Sequence, residues 1–265
     1  MSDVTGPSSD GFQTPPPNAP PPPPPNMAPP PGYVPYGAST QGAYATFQRI
    51  GGLAKWLTIV LIVLIPVLLW TTINSFSVRS EAKDFIANRT TEKEFKDKLA
   101  ASAGIGVLSF VVLVAVAVLT IIWMFRIAKN LQAMNRVATW KPGWAIAGWF
   151  VPPLVLYVVP FLMFRDLWKG SDPDTMHDWR TNRVAPIVTI WWILFGLVPL
   201  VTITATFSTF SLNNSTSKQA NDLVDRFGVS IAASLAQIAA ALCFLVLVRQ
   251  LTARHQQVTY ETQAS

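Results

Sequence analysis

The chain has 265 residues, of which 51% are apolar and only 13% are charged. Soluble domains carry roughly 25% charged residues, so this composition excludes a water-soluble domain of this length and indicates an integral membrane protein. The 20 Lys and Arg residues outnumber the 14 Asp and Glu residues and give a net charge of +6. One cysteine and two histidines exclude a disulfide scaffold and a zinc finger.

The first 50 residues differ from the rest of the chain. Fourteen of the 22 prolines lie before residue 36, six of them in the run Pro20–Pro25. Such a segment buries too little apolar surface to offset its ordering entropy, so residues 1–50 are predicted to be a disordered, proline-rich N-terminal tail. We favour a solvated tether, and the alternative is a docking site for a protein partner with an aromatic-lined groove.

Residues 51–255 are predicted to form a helical membrane domain, followed by a short C-terminal tail at 256–265. A membrane-spanning helix needs about 20 residues with few charges. Apolar segments of this kind occupy approximately residues 56–78, 101–125, 143–164, 184–207 and 228–248. The predicted fold is therefore all-α, a polytopic membrane helix bundle of four or five transmembrane helices in a lipid bilayer.

The third segment, residues 143–164, is the exception among the five. Pro152 and Pro153 remove two backbone donors near its middle, and an interior proline costs about 3 kcal/mol in a helix. The segment is therefore predicted to break into two pieces of roughly 15 Å each, and neither piece crosses a bilayer core of about 30 Å alone. The pieces either stack into one kinked span or enter the membrane and return to the same side.

The distribution of basic residues favours the returning arrangement. If the third segment does not cross, one membrane face carries 12 of the 20 Lys and Arg residues and the other face carries 8. The positive-inside rule then predicts four spans with both termini in the cytoplasm of a multi-pass plasma-membrane protein. A five-span bundle remains the alternative.

The four other spans contain no Asp, Glu, Lys, Arg or His. Membrane enzymes and proton-coupled transporters place ionisable groups inside the bilayer, so we expect no catalytic residue, no cofactor and no metal site. Candidate site residues are concentrated in the segment 123–192, which contains eight of the ten tryptophans. It is interpreted as an interfacial aromatic belt, or alternatively as a pocket for an anionic head group. The candidate structural or ligand cluster comprises Arg126, Asn130, Trp140, Trp144, Trp149, Pro152, Pro153, Asp166, Trp168 and Trp179.

Three functions are compatible with these features. The favoured one is a non-catalytic scaffold or regulatory membrane protein whose tail tethers a partner. The second is a small transporter or channel, lined by the broken third segment and assembled as a homo-oligomer. The third is an enzyme acting on lipids with Asp166 as base, although acidic residues around Pro173 are more simply explained by a turn. Nucleic acid is not an expected partner.

A longer motif string extends over the same region. It comprises Phe125-Arg126-x3-Asn130-Leu131, Trp140-Lys-Pro-Gly-Trp144-Ala-x2-Gly148-Trp-Phe150-Val-Pro152, Asp166-Leu-Trp168, Ser171-Asp-Pro-Asp174, Trp179-Arg180 and Trp191-Trp192. Over roughly residues 55–255 the chain resembles a mainly actinobacterial family of membrane proteins, domain of unknown function 4328. The resemblance implies a bacterial protein with four or five membrane segments after a Pro/Gly-rich N-terminus, and it implies no reaction. Family members tend to be more polar where this chain has Leu154–Val159.

Overall fold

The computed structural model describes residues 47–136, 139–150, 153–174, 178–197 and 215–261, and helix is the regular structure of all these ranges. The predicted all-α class is therefore confirmed. In chain order the helices are α1 (Gly51–Ile86), α2 (Glu92–Ala133), α3 (Trp144–Ala147), α4 (Pro153–Gly170), α5 (Pro186–Trp192), α6 (Thr216–Asp225) and α7 (Phe227–Thr259). A 3₁₀ turn at Trp179–Thr181 precedes α5, and a π-helical turn at Ile193–Leu197 follows it.

Three helices, α1, α2 and α7, are long and apolar enough to cross a membrane. Their most apolar stretches remain largely uncovered by protein, and in α2 only 11% of that stretch is buried. The uncovered side chains are large and apolar, among them Trp70, Ile73 and Phe110 with relative exposures of 62%, 66% and 65%. A soluble protein does not expose apolar belts of this size, whereas acyl chains cover them in a bilayer. The membrane character of the chain is therefore confirmed.

The long helices extend beyond the predicted apolar spans and include the charged residues that flank them. At one end of the bundle, which we call the hairpin end, α1 continues through its charged residues to Ile86 and α2 begins at Glu92. Thr91 and Glu94 form a capping box, which starts the 42-residue α2. Phe95 is fully buried there against Ala82 and Ala220 of α6. The hairpin end therefore has its own small apolar core outside the spans.

The described parts of the predicted third segment are residues 139–150, which include α3, and α4; we call them its two arms, and they contact each other. The Thr139 backbone N–H donates to Asp166 Oδ2 at 3.0 Å, so the beginning of the first arm contacts the last turns of α4. Further along, a Cβ added to Gly148 would meet Val159 Cγ1 at 2.9 Å. The second arm is longer than predicted, because α4 runs through Pro160 and past Arg165 to Gly170. Pro152, one of the two residues of the predicted break, lies outside the described residues.

The main core joins buried side chains of α1, α2, α4, α5 and α7. Trp191 stacks on Phe244 with ring centroids 5.0 Å apart, and Phe164 meets Trp191 edge to face at 4.7 Å. The predicted fourth span, 184–207, is described only as far as Leu197, and its remainder lies outside the described residues. Aromatic packing of this kind fixes α5 against α7 by dispersion contacts, which remain available in lipid.

Both predicted tail boundaries differ from the structure. Residues 47–50 belong to the packed domain, since Ile50 is fully buried. At the other end α7 continues to Thr259, four residues into the predicted C-terminal tail. Glu261 then returns to the start of α1, where its carboxylate accepts from the Gly51 and Ile50 backbone N–H groups at 2.9 and 3.1 Å. These contacts are made with residues far away in sequence, which no local pattern reveals. The predicted disorder falls on residues 1–46, which lie outside the described residues.

Candidate functional site

Opposite the hairpin end, four residues from distant parts of the chain form a buried polar group that we call the His255 cluster: Gln48, Asn130, Ser171 and His255. Ser171 and His255 are fully buried, and Asn130 is 2% exposed. Asn130 Nδ2 lies 3.0 Å from His255 Nε2, and Ser171 Oγ lies 2.9 Å from His255 Nδ1. The cluster joins the segment before α1 to the ends of α2, α4 and α7.

The hydrogen-bond pattern fixes where the imidazole proton resides. Asn130 Oδ1 accepts from the Gln48 backbone N–H at 2.8 Å, and Asn130 Nδ2 donates to the Gln48 carbonyl at 3.0 Å. This pair sets the orientation of the amide, so the group facing His255 Nε2 is a donor and Nε2 must accept. The single proton of the neutral ring is then on Nδ1, and it is donated to Ser171 Oγ.

A serine beside a histidine is also the pair that hydrolases use, and the proton position distinguishes the two roles. A general base must present a lone pair to the serine hydroxyl. Here the ring presents an N–H to Ser171 and its lone pair to Asn130. Both side chains are at 0% exposure. In this arrangement the ring presents no lone pair to Ser171, and its two contacts join the end of α7 to α2 and to the end of α4.

Arg136 and Arg254 bind the end of α4 from two sides. Arg136 is 7% exposed and donates to the carbonyls of Gly170 and Asp172. Burial lowers the pKa of its guanidinium and the Asp172 carboxylate raises it; an arginine stays charged in either case. Its charge therefore complements the negative end of the α4 dipole. Arg254 pairs with Asp172 Oδ2 at 2.8 Å and stacks over Trp168 at 4.8 Å.

The structure distributes the predicted cluster residues over several local contacts. Asn130 lies at the centre of the His255 cluster. Trp168 and Trp179 are both buried, and Trp140 packs edge to face on Trp144 at 5.3 Å. Arg126 donates to the Arg49 carbonyl, whereas Asp166 accepts from Thr139. Among the described residues, Asp166 therefore shares no hydrogen bond with Arg126 or Asn130. Pro152 lies outside those residues, and Pro153 is the first residue of α4.

Trp149 reaches furthest into the bundle of the predicted residues. It meets Phe195 edge to face at 6.3 Å, and its indole N–H is buried without an acceptor among the described residues. Both rings line a cavity of about 100 Å³ at mid-bundle depth, together with Leu64 of α1 and Gln237 of α7. The rest of the described lining is mostly aliphatic and aromatic, so the cavity is largely apolar.

A larger cavity, of about 520 Å³, lies toward the hairpin end between α1, α2, α6 and α7. Arg79 lines it, and the Arg79 Nε atom is buried with no hydrogen-bond partner among the described residues. Arg79 stands at the boundary of a span, where basic residues are common, and it was therefore not predicted as a site residue. A signal was nevertheless present: Thr71, Ser75 and Arg79 recur every four residues on one face of an apolar helix.

The comparisons with known proteins give one assignment. The family described as Domain of unknown function (DUF4328) matches residues 86–253, which contain Asn130 and Ser171 and end two residues before His255. No curated protein and no solved structure matches the chain significantly. The family match extends over more than half of the chain and agrees with the resemblance drawn from the motif string. The chain therefore belongs to the family defined by this domain of unknown function.

Proposed function

We propose that the protein is a non-catalytic scaffold or regulatory protein of the plasma membrane, which holds its N-terminal segment, and through it a partner protein, at the cytoplasmic face. The observation that carries this proposal is the pair of hydrogen bonds between the Gln48 backbone and the Asn130 side chain. The proline-rich segment ends just before this point. A partner bound to the segment would therefore be coupled directly to the ends of α2, α4 and α7.

The use of the buried polar groups supports a non-catalytic role. The groups that could carry chemistry are occupied by internal bonds: the His255 ring by Asn130 and Ser171, and the Asp172 carboxylate by Arg254. Within the described residues no group of three or more His, Cys, Asp or Glu side chains could hold a metal ion. Bonds of this kind orient helices, which is what a platform for a partner requires.

Contacts between the two arms of the third segment support four membrane crossings, in which this segment enters the membrane and returns to the same side. The Thr139 and Asp166 contact brings the two ends of that segment together, and Gly148 packs close to Val159 between its arms. A segment that crossed the bilayer would separate its ends by about 30 Å. In this topology both termini share the face that carries 12 basic residues, which is the cytoplasmic face under the positive-inside rule.

Photo-crosslinking of the full-length protein in its native cells tests the scaffold function. A photoreactive residue at Pro22 should give an adduct of discrete mass after irradiation. The matched control places the same residue at Lys93, which is exposed at the hairpin end. Equal adducts from the two positions, or none from any position in the run Pro20–Pro25, would contradict the proposal.

The alternative, a small transporter or channel, is separated by a flux measurement. Full-length protein in liposomes should leave the permeability to K⁺, Na⁺, Cl⁻ and H⁺ at the value of protein-free liposomes, because the mid-depth cavity is small and mainly apolar. A flux that rises in proportion to the amount of protein would favour transport instead. The substitution of Gln237 by Leu should abolish such a flux if the cavity near Trp149 is its route.

A further inference from the structure

The cavity at the hairpin end contains a positive charge that no described residue neutralises. Arg79 makes no ion pair with a described residue, and its guanidinium lies over the Phe227 ring at 4.3 Å. None of the described residues that line the cavity is acidic. A buried guanidinium nitrogen without an acceptor is costly, since nearly all buried donors in proteins are paired. The site therefore lacks an acceptor that carries negative charge.

Three further polar side chains face the same space with donors to spare. Ser102 Oγ accepts from Asn74 Nδ2 at 2.8 Å, which leaves its own hydroxyl proton for another acceptor. Ser230 and Gln219 line the cavity and make no side-chain hydrogen bond with a described residue. Thr71 and Ser75 differ, because both hydroxyls donate to carbonyls of α1. The cavity thus offers one cation and several neutral donors, which is the donor set that binds phosphate oxygens.

The remainder of the lining is apolar, and the position matches the bilayer interface. Leu99, Ala103, Leu223 and Phe227 form much of the wall. Arg79 directly follows the charge-free span that ends at Val78, where lipid phosphates lie beside a membrane protein. Next to the cavity Phe76 and Val229 remain 53% and 54% exposed, so an acyl chain bound to the head group would cover them.

We propose that this cavity binds the phosphate of one anionic phospholipid, with Arg79 as its counter-ion and Ser102, Ser230 and Gln219 as additional donors. The acyl chains lie along the exposed apolar surface of α1 and α7. This site is distinct from the His255 cluster and does not depend on the tail or its partner, so it stands or falls separately from the scaffold function.

The test uses full-length protein in detergent micelles that contain phosphatidylcholine, and phosphatidylglycerol is added as the probe. Native mass spectrometry measures the lipid retained per protein. Phosphatidylglycerol should be retained in preference to phosphatidylcholine, and Arg79→Gln should weaken that retention about tenfold or more, because it removes charge-assisted hydrogen bonds to the phosphate. Lys83→Gln is the matched control: it removes the same charge one turn further along α1, at an exposed position that does not line the cavity.

A second variant separates a built cavity from attraction by surface charge. Ala103→Phe keeps Arg79 and fills the space beside it, so it should reduce retention as strongly as Arg79→Gln. Unchanged retention in either variant, or equal retention of the two lipids by the wild type, would overturn the proposal. If inorganic phosphate displaces phosphatidylglycerol at millimolar concentration, the occupant is a free phosphate group and the lipid assignment is overturned.

Discussion

Asn130 illustrates how a single side chain organises one end of this protein. Its amide satisfies both backbone groups of Gln48 and the lone pair of His255 Nε2, so every polar atom of the side chain is used. Without this amide the buried His255 Nε2 and the half-buried backbone groups of Gln48 would lack these partners, at about 1–3 kcal/mol for a buried group. The residue therefore matters for stability through the groups that it satisfies on two other parts of the chain.

The replacement of Asn130 by Leu is expected to lower the free energy of unfolding by about 3 kcal/mol, because one buried and two half-buried groups lose their partner. Titration of the detergent-solubilised protein with SDS measures this change. Gln48→Ala is the matched control: only the backbone of Gln48 bonds to Asn130, so this substitution should stay within about 0.5 kcal/mol. A comparable loss in both variants would show that the amide-to-backbone pair is not what stabilises this end.

The His255 cluster also shows which part of a site the sequence can predict. Asn130 was selected because it lies one turn after Arg126 in a Trp-rich stretch that borders a span. Its partners were not, since they lie 125 and 82 residues away and their pairing is created only when α2, α7 and the pre-α1 segment pack. Ser171 lies in the motif string and His255 does not, and neither position indicates that the two side chains meet, so the contact could be found only in three dimensions.

At the scale of the helices, the charged residues that flank each apolar stretch predicted the membrane spans, but they did not predict where the helices end. The first span was predicted over residues 56–78, whereas α1 extends from Gly51 to Ile86. The thickness of the bilayer sets how many apolar residues a helix needs to cross it, but it does not require the helix to end at the first charged residue. Beyond the span, Ala82 and Phe85 supply an apolar face that packs on Phe95, and this tertiary contact continues the helix.

The close packing of the two arms of the third segment gives a prediction at this scale. Gly148→Ala would place a Cβ 2.8 Å from the Trp144 carbonyl oxygen and 2.9 Å from Val159 Cγ1, so the arms must separate. Overpacking of this kind costs about 1–3 kcal/mol, which should lower the thermal midpoint in detergent. Gly143→Ala is the control, because its Cβ would meet nothing within 4 Å. Equal midpoints for the two variants would mean that the arms are not in close contact.

At the scale of the whole molecule, the residues just before α1 and just after α7 are joined to the same end of the bundle. Gln48 bonds to Asn130, and Glu261 accepts from the first backbone N–H groups of α1. A carboxylate at a helix N-terminus is favoured by the helix dipole. The segment before α1 and the end of α7 are thus held together, so a force or a partner acting on the proline-rich segment would act on α7 as well.

The proposed topology predicts which positions share a membrane face. In a Cys243→Ala background, single cysteines at Lys141 and Asp174, both exposed, should resist a membrane-impermeant thiol reagent in intact cells and react once the cells are opened. A cysteine at Lys93, on the hairpin end, should react in intact cells. These three positions are chosen because Ser171 itself is fully buried and would not report on sidedness. If Lys141 and Asp174 label on opposite sides, the third segment crosses the bilayer and the four-span arrangement is wrong.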